Sequence, residues 1–183
     1  MRVVKSILIT SILRYMFIFL NKQIHMVIDY DGWIDYFYIP AGLNIIVLLI
    51  YGYEGAIGIA IGSFIWNFLN KSSDMFAAVG LSIMPFISSS IAYYLYQRFI
   101  IQDKNKGWHA PSLSEVCIFS IIYAIINSTL HHAAFPFLLK FESFSIFSLL
   151  KMFVGDLSGA LFLFILFNIL TSLTIDAVTR LKK

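Results

Sequence analysis

Long apolar runs separated by short polar clusters define this chain, and the runs predict six helical spans near 4–24, 38–53, 55–70, 75–100, 113–138 and 147–174. Helix is the expected state because a bilayer accepts only helices or closed barrels, and none of the runs alternates with the period of two that a barrel strand needs. Spans two and three are short: about 14 to 16 helical residues reach only about 21 to 24 Å at 1.5 Å per residue. Small tilt, helical flanks or local thinning of the bilayer would accommodate them. Pro40 falls at the opening of span two, where its missing N–H costs nothing. Tyr51-Gly52-Tyr53-Glu54-Gly55 predicts a tight turn between spans two and three. Ser112 and Glu115, following Pro111, predict a capping box at the start of span five, which gives Glu115 a structural role. In span four, Ser88, Ser89 and Ser90 come after Pro85 and are expected to satisfy carbonyls that the proline frees.

Composition narrows the class. The chain of 183 residues is 60% hydrophobic and 13% charged, about half the charged fraction of a soluble domain. The expected architecture is an all-α integral membrane protein, a single domain over 1–183 built as a bundle of about six transmembrane helices in the lipid bilayer. That leaves no room for a soluble catalytic or nucleic-acid-binding domain, so the net charge of +3 bears on orientation. Arg2, Lys5, Arg98, Lys104, Lys106, Arg180, Lys182 and Lys183 fall at the termini and even-numbered loops. Only Lys22, Lys71 and Lys140 fall on the other side, where Asp29, Asp31 and Asp35 add negative charge. This asymmetry predicts both termini in the cytoplasm. Met1–Leu20 resembles a signal peptide, but Arg14 interrupts it and no small-residue cleavage site follows, so it reads as an uncleaved first span. Cys117 is the single cysteine and is expected to pack as a small apolar group. Trp33, Tyr36, Phe37 and Tyr38 are expected to form an interfacial belt.

Chemistry-bearing residues stand out against this apolar background. Lys151 and Asp156 lie inside the sixth run, and Arg14 lies mid-way along the first. Ionised groups in a bilayer cost several kcal/mol and face a protein interior, a partner or a wet cavity. Asp156 therefore has two readings, a packing residue satisfied by a neighbour or a functional group. Its pairing with Arg14, Lys151 or a histidine stays open. Gly58 and Gly62, and Gly155 and Gly159, sit one helical turn apart and allow close helix approach. Pro40, Asn44, Trp66, Asn67, Asn127, His131, Lys151 and Asp156 all map to the outer halves of their spans. Polar groups at one depth are what a small, partly wet ligand pocket requires. His131 and His132 point about 100° apart on a helix and make a poor chelating pair, so neither a metal nor another cofactor is expected.

Three stretches carry a resemblance. Tyr38-Ile-Pro-Ala-Gly, Gly58-Ile-Ala-Ile-Gly62-Ser-Phe-Ile-Trp-Asn67 and Gly155-Asp156-Leu-Ser-Gly159-Ala-Leu161 occur in order over roughly Tyr38 to Asn168. Together with Arg98 before a polar loop, this resembles the bacterial membrane-associated sensor domains, the first-described type of the MASE group. Met152 and Phe153 replace that family's aromatic pair, and Ile165 stands near its later proline. The resemblance implies a sensing or docking core whose output lies on a separate signalling or membrane protein, since the family continues into output domains and this chain ends at Lys183. The expected function is a sensor or interaction module for a small ligand or membrane partner, with no nucleic acid involved. Two alternatives remain: a substrate-binding subunit of an energy-coupling-factor-type vitamin transporter, and a structural subunit of a membrane complex. The bulky first span (Ile9, Ile12, Leu13, Phe17, Phe19) counts against the transporter. No nucleophile–base pair or phosphate-cradling loop points to an enzyme.

Overall fold

The structure, a computed structural model, describes residues 1–27, 36–70, 74–100, 111–139 and 145–181, with side chains described in these except at 25–27, 139 and 173–181. Trp33, the loop acids Asp29, Asp31 and Asp35, and the basic residues Lys71, Lys104, Lys106 and Lys140 lie outside the described residues. The described chain is all-helical: α1 (Arg2–Val27), α2 (Ile39–Tyr51), α3 (Tyr53–Asn70), α4 (Met75–Leu95), α5 (Leu113–Leu139) and α6 (Ile146–Leu181), with a π-helical turn, Tyr96–Ile100, closing α4. Four stretches, Arg2–Ile24, Met75–Ile100, Leu113–Leu138 and Ile146–Ser172, are long and apolar enough to cross a membrane. They mark a membrane protein. Helix α2 is apolar but has 13 residues, about 20 Å of helix, and α3 is not among the four.

The short helix is the centre of the molecule. Helix α2 packs against all five others, while α1, α3, α4, α5 and α6 follow one another around it. Ile39 to Ile45, Val47 and Leu48 are buried, which is why α2 is apolar on every side. Helix α1 is inverted relative to a soluble helix. Ser6, Thr10, Ser11, Arg14 and Asn21 face inward, whereas Leu8, Ile9, Ile12, Met16 and Phe19 face outward. Lipid is as apolar as leucine, so such a bundle is held by close packing and interhelical hydrogen bonds.

Glycine makes the close packing possible. A Cβ on Gly58 would lie 2.5 Å from Thr10 Cβ, and one on Gly62 would lie 2.5 Å from the Ser11 carbonyl. With Trp66 edge-on to Tyr15, these contacts advance together along α1 and α3, so the two helices are parallel. Asn67 bonds Ser82 and Tyr53 meets Tyr93, so α4 runs back along α3. Ser88 meets Asn127 and Tyr96 stacks on Phe119, so α5 runs back along α4. Tyr38 meets Gly155 and Gly42 meets Leu163, so α6 runs parallel to α2. Directions thus alternate through the chain, and α1 starts at the end of the bundle where α6 finishes.

The local signals act as their chemistry requires. Pro40 sits in the first turn of α2, and Gly52 turns the chain into α3 at φ +57°, donating its N–H to the Leu48 carbonyl at 2.9 Å. The capping box forms, with Ser112 N–H 2.6 Å from Glu115 Oε2 and Glu115 N–H 3.3 Å from Ser112 Oγ. Two expectations need correction. The Ser88 hydroxyl is bonded to Asn127 and to the carbonyl of Pro85 itself, not to a carbonyl the proline frees, while the Ser89 and Ser90 hydroxyls are buried without a hydrogen bond. Tyr38 is no belt residue. Its backbone lies against the middle of α6, where its N–H donates to the Gly155 carbonyl at 3.0 Å, and its hydroxyl points inward. Tyr36 stays on the surface beneath the Lys151 ammonium, 4.8 Å from its ring centroid.

Candidate functional site

The inward polar stripe of α1 delivers Arg14 to the core, 4% exposed. Its planar fork reaches four neutral groups. Nε–H donates to Ser63 Oγ of α3 at 3.0 Å, and Nη1 donates to the Pro40 carbonyl at 3.2 Å and to Asn44 Oδ1 at 3.1 Å, both in α2. Nη2 donates to the Tyr38 hydroxyl at 3.1 Å. Arginine at the centre of a transmembrane helix costs about 3 kcal/mol on insertion scales. Four hydrogen bonds at about 0.6 to 2 kcal/mol each are enough to offset that. Arg14 is thereby a structural hub of α1, α2 and α3.

A second hub forms around Asp156 of α6, 1% exposed. Its Oδ2 accepts a 2.7 Å hydrogen bond from Asn127 Nδ2 of α5. Asn127 Oδ1 in turn accepts from the Ser88 hydroxyl of α4 at 2.8 Å. The other carboxyl oxygen, Oδ1, is buried and receives no hydrogen bond among the described residues. Leaving a buried acceptor unserved costs about 1 to 3 kcal/mol, and buried polar groups are rarely left so. One hydrogen bond carries the first hub to α5, from Asn44 Nδ2 to the Tyr123 hydroxyl. The Asp156 carboxyl and the Arg14 guanidinium are not bonded to each other; each is held by neutral groups. Among the described residues none of the three pairings left open for Asp156 forms; its hydrogen-bond partner is the neutral Asn127.

The network sits near the middle of α1, α2 and α5. Arg14 is residue 13 of 26 in α1, and Asn127 is residue 15 of 27 in α5. Helix α2 begins beside Gly155, inside α6 rather than at its end. Of the sequence candidates, Asn44, Asn127 and Asp156 come together here. Trp66 and Asn67 do not: Trp66 packs on Tyr15 and under the Lys22 ammonium, with its Nε1 buried and unbonded, and Asn67 donates to Ser82 at 3.3 Å. His131 stands one turn beyond Asn127 with Nδ1 3.0 Å from its carbonyl, and Lys151 covers Tyr36. Gly58 and Gly62 seat α1 against α3, and Gly159 seats the Tyr38 backbone against α6. Gly155 is buried and supplies the carbonyl that Tyr38 reaches. Among the described residues no three His, Cys, Asp or Glu side chains gather as metal ligands.

Tyr38, Ser63, Ser88 and Tyr123 were missed as site residues. Tyr123 had a legible signal, since it stands one turn before Asn127 and shares its face. Ser63 had none, because it follows a packing glycine and looks like part of that motif. No protein-family model matches the chain, and no similar curated protein or solved structure was found.

Proposed function

We propose that the chain is a non-catalytic sensing or interaction module of a bacterial cytoplasmic membrane, in which all six helices cross and both termini face the cytoplasm. The basic residues at the termini support that orientation. The observation that carries the functional reading is the buried Asp156 carboxyl, which has one oxygen fixed by Asn127 and the other without a donor. A merely structural carboxyl in hydrocarbon would be expected to have both oxygens served. Within this reading Asp156, Asn127 and Asn44 recognise a small polar ligand or a membrane partner. Through the Tyr123 link, recognition alters how α4, α5 and α6 sit against α1, α2 and α3. Signalling then requires that the ligand bind two arrangements of the helices unequally. The resemblance to the membrane-associated sensor domains fits this role, with output on a separate protein.

The transport reading is less well supported. Its docking step needs a small-residue face on α1, and here Ser6, Thr10 and Ser11 are buried, with Thr10 and Ser11 against Gly58 and Gly62. Gentle purification from native membranes with mass spectrometry of co-purifying proteins tests the proposal. A kinase, cyclase or receptor in the eluate is the expected result; ATPase subunits with a coupling protein would overturn it. Reporter fusions at Lys183 and within residues 71–73 test orientation, and a cytoplasmic signal from the latter would refute it.

A further inference from the structure

The hydrogen bonds around Asp156 specify the chemistry of what it meets. The Tyr123 hydroxyl is buried and accepts from Asn44, and its own hydrogen has no acceptor among the described residues. Asp156 Oδ1 is buried and has no donor. The two groups are not bonded to each other; Tyr123 stands one turn before Asn127 on the same face of α5, and the Asn127 amide holds the other oxygen of Asp156. An unserved donor and an unserved acceptor thus belong to side chains gathered at the same turn of α5 without bonding each other. Only a group that accepts at one end and donates at the other completes both. An ammonium has no lone pair for the tyrosine hydrogen, and a carboxylate or phosphate dianion has no hydrogen for Asp156.

We propose that a single hydroxyl group bridges Tyr123 and Asp156, accepting from the phenol and donating to Oδ1. The second hydrogen of Asn127 Nδ2 is a further donor available to it. With the bridge in place, one hydrogen-bonded chain runs from Arg14 through Asn44, Tyr123, the bridging hydroxyl, Asp156 and Asn127 to Ser88. Ser63 on Arg14 brings in α3, so the chain ties all six helices. The hydroxyl comes either from a resident water, which needs two to four polar partners, or from a small organic ligand. The second source rests on the reading of this network as a recognition site.

A crystal structure of the full chain grown in a lipid mesophase tests both levels. Water-sized density bonded to Tyr123 and Asp156 supports the bridge and overturns ligand recognition at this position. Larger density with a hydroxyl at the bridge supports both. A direct Tyr123–Asp156 bond, or a protein donor on Oδ1, overturns the bridge. A double-mutant cycle in detergent checks it in solution. Tyr123→Phe and Asp156→Asn are each expected to lower the melting temperature by about 5 °C, and the double variant by no more than the larger single effect. Additive losses would overturn the bridge even where both variants fold.

Discussion

Replacing Gly159 by alanine is the sharpest test of how this site is positioned. A Cβ at Gly159 would collide with the Tyr38 carbonyl oxygen and carbon and lie 2.9 Å from the Ile39 nitrogen. All three atoms are backbone, so no side chain can swing aside. The segment would have to lift off α6, weakening the Tyr38 N–H bond to the Gly155 carbonyl and the 2.9 Å bond from the Ser158 hydroxyl to the Tyr36 carbonyl. Overpacking of this kind costs about 3 kcal/mol, and a lost hydrogen bond about 1 more. Alanine returns about 1 kcal/mol of helix propensity, which leaves a net loss of about 3 kcal/mol. For a chain of this length that is roughly 6 to 12 °C in melting temperature.

Gly80→Ala is the control. There the Cβ would meet only the end of the Leu138 side chain, which can move, so the propensity gain is expected to leave stability unchanged or slightly raised. Both variants are measured by thermal unfolding in one detergent, with tryptophan fluorescence and size exclusion as readouts. Equal melting temperatures for Gly159→Ala and wild type would refute the placement of the Tyr36–Tyr38 segment on α6. The arrangement of the site would fall with it, since Tyr38 and Pro40 are partners of Arg14.

Three further outcomes are expected. Arg14→Lys keeps the charge but loses the planar fork that serves Ser63, Pro40, Asn44 and Tyr38 together, and should lose about 2 kcal/mol in the same assay; a fully stable lysine variant would show that fork geometry is unimportant. Asn127→Leu removes the donor to Asp156 and the acceptor of Ser88, and should lose about 3 kcal/mol, with Asp156→Leu added in the same chain restoring part of it; no recovery in the double variant would refute the pairing. Gly52→Ala forces a side chain into φ +57° with its Cβ 3.0 Å from the Tyr93 hydroxyl, and is expected to lose about 1 to 3 kcal/mol, whereas unchanged unfolding would argue against this turn.

How much of this was legible follows from which forces are local. Helix placement was readable because every backbone group in hydrocarbon must be paired within its own segment, so a long apolar run has little choice but helix. The Pro40 start, the Gly52 turn and the Ser112–Glu115 box were readable for the same reason, since each is closed by residues within a few positions. The chemical importance of Arg14, Asn44, Asn127 and Asp156 was also readable, because a polar group in an apolar run needs a partner whatever the fold. Its partner was not. Arg14 and Asp156 carry opposite charges and invite pairing, yet the depth at which α2 begins brings Pro40 and Asn44 to Arg14, while Asn127 takes Asp156. That depth is set by Gly155 and Gly159 accepting the Tyr38 backbone, a contact across 117 residues of chain that no local pattern encodes. Sequence determined that the chain is helical, apolar outside and chemically loaded at a few positions, through energies paid residue by residue. Which of those positions meet, and that one carboxyl oxygen is left without a protein donor, was decided only by how six helices fill space around the shortest of them.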